Sequence, residues 1–329
     1  MSRFSLSRSA LLFFVSLFII AFTACARQDD VRVLKMAHSL PTEHPVHEAI
    51  VYMGQRLGEL SGGKMRLDVY SGGQLGAERE LMELVQIGSL AMTKVSSGSM
   101  EGFVPEMKVF GVPYVFRSEE HFWQVLDGNL GKELLLKGEK VRLRGLGYYD
   151  AGSRSFYTVD DPVYTPDDLL GKKIRVMKSQ TAVKMVGSLG GSGTPISWGE
   201  LYTSLQQGVV DGAENNPPSF YTSKHYEVAK FYTLDEHTFL PDLVLISTYV
   251  WSSLSEQEQV WLQQAMDESV EFQKKLWAES TALALSEVEK AGVTIIHPDK
   301  TKFSEKVKTM HEDMKGSPAY YYIEKIQAI

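Results

Sequence analysis

Cysteine is almost absent from this sequence of 329 residues, and long apolar runs are rare. The single cysteine, Cys25, excludes an internal disulfide. The one extended apolar run, residues 10–22, is shorter than the roughly 20 residues that cross a bilayer. It follows Arg3 and Arg8, which is typical of an export signal, so residues 1–24 are predicted to be a signal peptide. No later run is long enough to span a membrane, and the exported protein is not expected to be polytopic.

Cys25 therefore needs an explanation other than a disulfide. It ends the segment Phe22-Thr23-Ala24-Cys25, which resembles a bacterial lipobox, where signal cleavage leaves a lipidated cysteine at the new N-terminus. Phe22 stands where an aliphatic residue is usual. The two alternatives are lipidation of Cys25 and ordinary cleavage nearby, and the pattern favours lipidation. The protein is expected in the periplasm, with Cys25 as its predicted lipid anchor.

Basic charge is also in deficit. The sequence has 34 Lys and Arg against 41 Asp and Glu, a formal net charge of −7. Removal of residues 1–24 would delete Arg3 and Arg8 and make this charge more negative by two. An acidic surface argues against nucleic acid as a partner. The remaining composition is ordinary for a globular protein, and the length allows two domains.

Catalytic and metal-binding motifs are missing as well. His38, His44 and His47 lie close in sequence, but no second histidine falls four residues after His47, as a zinc-protease motif requires. No G-x-S-x-G turn supports a serine nucleophile. The glycine loop 72–76 lacks the Lys-Ser/Thr pair of a phosphate-binding loop. We expect no catalytic residue, no metal site and no cofactor, and the chain is predicted not to be an enzyme.

Alternating strand and helix patterns predict an α/β fold. Residues 31–37 and 64–69 alternate between polar and apolar, and apolar residues recur at helical spacing through 46–60. This order predicts a right-handed β-α-β crossover with parallel strands. Further strands are predicted at the apolar segments 108–116 and 243–251.

The predicted elements of the second half include one very long helix. Ser255 and Glu258 form a capping box, after which a helical pattern runs to about residue 291. A helix of this length would measure about 50 Å, more than one small domain needs. We therefore expect it to span two lobes. The polar triplet Asp235-Glu236-His237 is predicted to begin a bend.

The segment 171–216 concentrates residues suited to ligand binding. Lys173–Val176 alternates like a half-buried strand, which places Arg175 on one face of a sheet, near the interior of the fold. An arginine offers a planar fork of donors that matches a carboxylate, and each charge-assisted bond contributes about 1.5 to 3 kcal/mol. Arg175 and Arg154 are the two candidates for this role, and a structural ion pair is the alternative for either.

Three stretches carry a resemblance to a known family. They are YTPDDLLGKKIRV at 164–176, TPISWGELY at 194–202 and LQQGVVDGAEN at 205–215. They resemble the solute-binding proteins of TRAP transporters, the DctP-like group. The resemblance implies that Arg175 grips a substrate carboxylate and that Arg154 assists. It also implies that Trp198 packs on the ligand and that Asn215 bonds to it.

The resemblance implies an α/β, two-lobed periplasmic binding protein fold, type II-like, with lobes joined by crossing strands and a long shared helix. Lobe I would contain residues 31–152 and 241–280, and lobe II residues 153–240 and 281–329. Closure of the lobes over one ligand would strengthen the pair of arginine and carboxylate. The implied partners are a small organic acid and the membrane permease subunits of a TRAP transporter, which uses an ion gradient. We expect a monomer.

The ligand is narrowed by the side chains expected around the cleft. A C4-dicarboxylate would need mostly cations, whereas a polyhydroxylated acid needs a mixture of donors and acceptors. The sequence offers such a mixture at His38, Glu78, Arg79, Ser96, Gln180, Asn215, Asn216, His237 and Asp242. Trp198 would suit the apolar face of a sugar ring.

A sugar acid is therefore favoured over a C4-dicarboxylate or another carboxylate. Residues 150–154 and 214–216 resemble uronate-binding members of the family, so a hexuronate, galacturonate or glucuronate, is the leading hypothesis. Residues 96–98 lack the charged side chains that sialic-acid binders of the family carry after the third strand. Two other classes stay open: a sensory binding protein, and a periplasmic enzyme with Glu78 and His38 as its acid/base pair.

Overall fold

The structure is a computed structural model that describes residues 31–329. The predicted signal peptide and Cys25 lie outside these residues. Within them, the strands form two sheets, of five and six strands. No helix in the described part of the chain is both long and apolar enough to cross a membrane.

The first sheet contains the strands β1 (Arg32–Ala37), β2 (Met65–Tyr70), β3 (Met92–Ser96), β4 (Leu143–Tyr149) and β10 (Asp242–Ser247). Their order across the sheet is β2-β1-β3-β10-β4. β1 is parallel to both β2 and β3, as the predicted crossover requires, and β10 runs antiparallel between β3 and β4.

The second sheet contains the strands β5 (Ser153–Thr158), β6 (Lys173–Val176), β7 (Ser192–Pro195), β8 (Gly212–Asn215), β9 (Phe231–Phe239) and β11 (Thr294–Ile296). Their order across the sheet is β11-β9-β5-β8-β6-β7. β6 is parallel to β7 and β8, whereas β5 is antiparallel to β8 and β9. Each sheet carries helices and its own apolar core, so the chain forms two α/β lobes, as predicted.

Helices surround both sheets. The α-helices are Pro45–Leu60, Glu78–Gln86, Ser97–Met100, Glu119–Asp127, Asn129–Leu136, Gln180–Ser188, Leu201–Gln206, Pro217–Thr222, Thr248–Ser253, Glu256–Lys290, Lys300–Val307, Thr309–Asp313 and Pro318–Gln327. The 3-10 helices are Pro105–Gly111, Lys137–Val141, Pro166–Leu169, Trp198–Glu200 and His225–Glu227.

The helix Glu256–Lys290 confirms the prediction of one long helix. It has 35 residues and begins at the capping box of Ser255 and Glu258. Near its start, Leu262 packs in the core of the first lobe, and near its end Val288 packs in the core of the second. The helix therefore belongs to both lobes.

The chain crosses between the lobes from β4 to β5 and again from β9 to β10. The first crossing is attached to the long helix, because Asp150 and Gln273 exchange two hydrogen bonds of 2.8 Å between backbone and side-chain amide. Gly152, which follows, has a φ of 54° and lies against Trp277 of the same helix. The left-handed backbone and the close approach both favour glycine here. Backbone and helix thus hold the lobes together at one edge.

Two predicted strands differ from the structure. Residues 108–116 are not a strand, because the 3-10 helix Pro105–Gly111 begins on a proline and buries its apolar side chains without a sheet partner. Residues 243–251 form a strand only as far as Ser247, where β10 pairs with Leu143, the first residue of β4. Beyond that pair no strand of the described chain continues alongside, and a helix follows. Short apolar runs fit both structures, so periodicity alone does not separate them.

Two further features refine the predicted organisation. The polar triplet 235–237 lies within β9, but the register with β5 shifts there and Glu236 has a φ of 50°, so the bend is a bulge inside a strand. The C-terminal helix Pro318–Gln327 packs in the core of the first lobe, not in the second lobe where the sequence-based division placed residues 281–329. Its apolar face covers the 3-10 helix Pro105–Gly111.

Candidate functional site

A cavity of about 500 Å³ lies between the two lobes. The first lobe lines it mainly with polar side chains from β3, the start of β10 and the helix after residue 77, and the second lobe with residues at or beyond the ends of β6 and β8. Crevices at the carboxyl ends of strands are the usual ligand sites of α/β sheets. The predicted site residues that line the cavity are Arg175, Arg154, Asn215, Asn216, Trp198, Glu78, Arg79, Ser96 and Asp242.

Arg175 is the distinctive cation of this cavity. It lies in β6 between the buried residues Ile174 and Val176, and only 3% of its surface is exposed. Its Nε donates to the carbonyl of Ile196 at 2.8 Å, but no carboxylate among residues 31–329 forms a salt bridge with it. Burial lowers the pKa of the guanidinium, although an arginine in a protein remains protonated. The two terminal nitrogens thus form a charged fork without an anion among the described residues.

The ring of Trp198 lies beside this fork. The guanidinium carbon of Arg175 is 5.5 Å from the ring centroid, close enough for a cation–π contact. Trp198 begins a short 3-10 helix and is half-buried, so part of its indole forms the cavity wall. An apolar ring face next to a cation suits a ligand with both a carboxylate and a carbon skeleton.

Arg154 is paired within the protein. It forms a two-pronged ion pair with Glu214, whose Oε1 lies 2.9 Å from Nη2, and Nη1 donates to Oδ1 of Asn215 at 2.6 Å. Burial alone would lower the pKa of Arg154, but the Glu214 carboxylate outweighs it and raises the pKa. Its donors are therefore largely used by its neighbours. Arg154 therefore lies in the cavity wall, and its main interactions hold Glu214 and Asn215 in place.

Asn215 and Asn216 turn amide donors toward the cavity. Oδ1 of Asn215 accepts from Arg154 and from the backbone N–H of Asn216 at 2.9 Å, and Oδ1 of Asn216 accepts from the N–H of Ser219 at 2.9 Å. Because both oxygens receive N–H donors, the orientation of each amide is determined. Neither Nδ2 has a hydrogen-bond partner within residues 31–329, so both remain free to donate to a ligand.

The first-lobe wall contains a charged cluster that the sequence analysis did not predict in full. Nζ of Lys94 lies 2.9 Å from Oδ2 of Asp242 and 3.6 Å from Oε1 of Glu78. Glu78 also accepts from the backbone N–H of Ser96 at 3.0 Å and from the hydroxyl of Ser99. Lys94 was missed; the structure places it in β3, which is buried at every residue, and a buried lysine usually has a charged partner.

Arg79 lies at the cavity rim. Its side chain is 56% exposed, and Nε donates to Oε1 of Glu83 at 3.1 Å. The guanidinium also lies 5.4 Å from the centroid of the Phe103 ring. It is accessible from solvent, whereas Arg175 is buried.

Three predicted site residues do not line the cavity. His38 is fully buried, with Nδ1 accepting from the N–H of Leu40 at 3.2 Å and Nε2 donating to His47 at 3.0 Å. Burial, together with nearby Lys94, lowers its pKa to about 3, so it is neutral. The prediction that His38 contacts the ligand is therefore wrong, because both of its ring nitrogens form hydrogen bonds within the first lobe. The acid/base pair suggested for His38 and Glu78 is not assembled.

Gln180 contributes its backbone instead of its side chain. As the first residue of the helix Gln180–Ser188 it donates its N–H to the carboxylate of Glu101, which also accepts from Thr181 at 3.2 Å. Glu101 belongs to the first lobe and this helix to the second, so a carboxylate of one lobe caps a helix of the other. His44 and Ser219 form another contact between the lobes at 3.1 Å. The lobes thus meet at the cavity.

His237 lies behind the cavity. Its Nδ1 is 2.8 Å from Asp235, and its Nε2 is 3.6 Å from Glu214. Burial alone would lower the pKa of this histidine, but the two carboxylates outweigh it and raise the pKa to about 9. His237 is therefore a cation that supports the pair of Arg154 and Glu214. It was predicted as a ligand contact and is a supporting residue.

Within residues 31–329, no group of three or more His, Cys, Asp or Glu side chains is arranged to hold a metal ion. Two acidic side chains of the cavity, Glu78 and Asp242, are bonded to a neighbouring cation or donor. The free fork of Arg175 and the polar side chains around it suit an anion that carries hydroxyl groups.

Comparison with known proteins gives consistent matches. The family described as bacterial extracellular solute-binding protein, family 7 (DctP), matches residues 36–317. YiiZ, a protein of Salmonella typhimurium, is 40% identical over 291 residues, which cover 88% of this chain and 89% of that protein.

Solved structures are similar over nearly the whole described chain. A TRAP periplasmic solute-binding protein of Bradyrhizobium in complex with α/β-D-galacturonate is 39% identical, with a TM-score of 0.88 and coverage of 91% of this chain and 100% of that chain. A TRAP periplasmic solute-binding protein of Pseudomonas putida F1 with bound D-glucuronate is 35% identical, with a TM-score of 0.86 and coverage of 90% and 97%.

Proposed function

The chain belongs to the bacterial extracellular solute-binding proteins of family 7, the binding subunits of TRAP transporters, and on this premise we propose that it captures a hexuronate and delivers it to a membrane permease. Galacturonate and glucuronate are the two candidates. The ligand carboxylate would bind the fork of Arg175, and the hydroxyls of the sugar would bind the polar side chains around it.

The observation that carries this proposal is the buried, unpaired fork of Arg175. A buried cation is costly unless it is paired, and Arg154, which lines the same cavity, has Glu214 as its partner. In the described chain, the terminal nitrogens of Arg175 have no such partner. A carboxylate ligand would supply the missing anion through two charge-assisted hydrogen bonds.

The remainder of the cavity supports a sugar acid. Trp198 offers a ring face, Asn215 and Asn216 offer amide donors, and Asp242 and Ser96 offer oxygen acceptors. This mixture matches a ring with several hydroxyls better than it matches a short dicarboxylate. The similar proteins of Bradyrhizobium and Pseudomonas putida, which hold galacturonate and glucuronate, support the same class of ligand.

The role in transport determines location and partners. The family is a substrate-binding component of transporters, so we propose that the chain works in the periplasm, performs no chemistry on its ligand and docks as a monomer on TRAP permease subunits. The permease would use an ion gradient to move the ligand. A receptor protein as the recipient is the alternative. Lipidation of Cys25 remains a prediction, which mass spectrometry of membrane-extracted protein would test.

A ligand panel tests this function directly. Purified protein would be heated with D-galacturonate, D-glucuronate, D-galactonate, succinate or malate, and positive ligands would be titrated by calorimetry. A ligand at one hundred times its Kd adds about 2.7 kcal/mol of stability, which raises the Tm by several degrees. We expect the two hexuronates to give the largest shifts. A shift with succinate or malate alone would favour the C4-dicarboxylate alternative, and no shift with any acid would refute the proposal.

A further inference from the structure

The cavity is lined by four cations besides Arg79, and their partners differ. Lys178 is about half exposed, and its Nζ lies 3.9 Å from Glu80. Arg154 is paired with Glu214, and Lys94 lies within 4.0 Å of both Asp242 and Glu78. Only Arg175, among the cavity cations of residues 31–329, has no carboxylate partner. The cavity therefore has one place for a ligand carboxylate, at Arg175.

The first-lobe cluster of Lys94, Asp242 and Glu78 has an excess of negative charge. One ammonium faces two carboxylates, at 2.9 and 3.6 Å. Glu78 also accepts hydrogen bonds from the N–H of Ser96 and the hydroxyl of Ser99. Lys94 and Asp242 are 2% and 6% exposed, so solvent screens this charge poorly.

We propose that this cluster is a hydroxyl-binding subsite that selects acids with a single carboxylate and rejects dicarboxylic acids, including the aldaric acid made by oxidising a hexuronate at its other end. This inference rests on the proposed function, because it concerns the part of the same ligand that lies away from Arg175. It assigns the selectivity of the site to Lys94, Asp242 and Glu78.

Free polar atoms of the cluster are suited to hydroxyl groups. Oδ1 of Asp242 has no hydrogen-bond partner within residues 31–329, since only Oδ2 contacts Lys94. The hydroxyl oxygen of Ser96 is buried and unpartnered in the described chain. Both side chains line the cavity, with 6% and 7% of their surfaces exposed. A sugar hydroxyl can donate to the free carboxylate oxygen of Asp242, and Ser96 is the residue paired with Asp242 on the neighbouring strand.

A second ligand carboxylate would meet the opposite environment. It would approach Asp242 and Glu78 in a poorly hydrated space where like charges repel strongly. Lys94 could offset only part of this repulsion, because its charge is already shared between two carboxylates. Such juxtaposition of like charges is a common means of rejecting a competing ligand. The subsite thus gives selectivity by repulsion as well as by attraction.

The test compares galacturonate with galactarate, which has the same six carbons and a second carboxylate. Calorimetric titration of the purified protein should give a Kd for galactarate at least 100-fold higher than for galacturonate. In Asp242→Asn, one negative charge is removed with little change in shape. We expect this variant to bind galacturonate more weakly. The ratio of the galactarate Kd to the galacturonate Kd should be at least tenfold smaller than in the wild type. Glu78→Gln should also lower this ratio of Kd values, and it replaces Asp242→Asn as the test if that variant does not fold.

The control variant changes an aspartate that forms an ion pair with a lysine on the protein surface. Asp127 contacts Lys274 at 3.1 Å and does not line the cavity, so Asp127→Asn removes the same charge from an aspartate–lysine pair at the surface. This variant should keep the wild-type ratio. An unchanged ratio in both Asp242→Asn and Glu78→Gln would assign the selectivity to ligand shape and overturn the inference. Equal or tighter binding of galactarate by the wild type would overturn it while leaving a solute-binding function intact. Failure of every sugar acid to bind would refute the proposed function, and the inference with it.

Discussion

Replacement of Arg175 by lysine gives the sharpest test of how this protein holds its ligand. The terminal nitrogens of Arg175 can form two parallel, charge-assisted hydrogen bonds to a carboxylate, each contributing about 1.5 to 3 kcal/mol. Lysine keeps the positive charge but offers a point charge in place of the fork, so one such bond is lost. We expect affinity for the hexuronate to fall by about 2 kcal/mol, which is roughly a 30-fold increase in Kd.

Calorimetry on wild type and Arg175→Lys would measure this loss. The matched control is Arg144→Lys, because Arg144 also lies over a tryptophan, with its guanidinium 4.7 Å from the Trp251 ring, but does not line the cavity. The control should leave the Kd unchanged. A change of less than threefold in Arg175→Lys would mean that the carboxylate binds elsewhere, and the reasoning from the unpaired fork would fail.

The stability of the ligand-free protein also tests whether Arg175 lacks an anionic partner. Arg175→Met removes a buried cation that has no anionic partner among the described residues, and it loses only the hydrogen bond to the carbonyl of Ile196. The loss of that bond, about 1 kcal/mol, is offset by relief from the cost of burying the charge. The Tm without ligand should therefore change little, while the ligand-induced shift disappears. A large drop in the Tm without ligand would assign Arg175 a structural role.

Two other predictions follow from the charges behind the cavity. Arg154→Met should destabilise the ligand-free protein by about 3 to 5 kcal/mol in urea unfolding, because the buried Glu214 loses its two-pronged ion pair and keeps only His237, 3.6 Å away. A cost as small as that of Arg175→Met would contradict this assignment. The pKa of His237 is raised from 6.5 to about 9, so its stabilising effect is fully present below pH 6.5 and is lost as the pH rises through about 9. The difference in unfolding free energy between wild type and His237→Gln should thus shrink by on the order of 3 kcal/mol from pH 6 to pH 10, and a constant difference would show that His237 is neutral in the folded protein.

The architecture explains why a ligand can hold the lobes together. The crossings between strands, the long helix Glu256–Lys290 and the return of the chain from β11 to the C-terminal helix connect the lobes. The contacts of Glu101 and His44 join the lobes as well. A ligand bound to Arg175 in the second lobe and to Asp242 in the first adds to the contacts at the cavity. On the proposed function, ligand binding would therefore be coupled to lobe closure through these side chains.

Much of the fold could be predicted from local patterns. The alternation in Lys173–Val176 was sufficient to place Arg175 on a strand next to the interior, and the capping box at Ser255 identified the start of the long helix. These signals depend on residues that are near one another in the chain. The segment 108–116 shows the limit, because an apolar run without clear periodicity fits either a strand or a short helix.

The sequence by itself therefore determined the α/β class, the long shared helix, and the presence of an arginine poised for a carboxylate. Only the tertiary structure decided which arginine is free. Arg154 and Arg175 look alike in sequence, but Glu214, 60 residues from Arg154, neutralises one of them and not the other. Lys94 and Asp242 meet across 148 residues in the same way, and His38 and His237 are withdrawn from the cavity by their neighbours. The charge available to a ligand depends on partners brought together by the fold, because electrostatic pairing acts through space and leaves no local pattern in the chain.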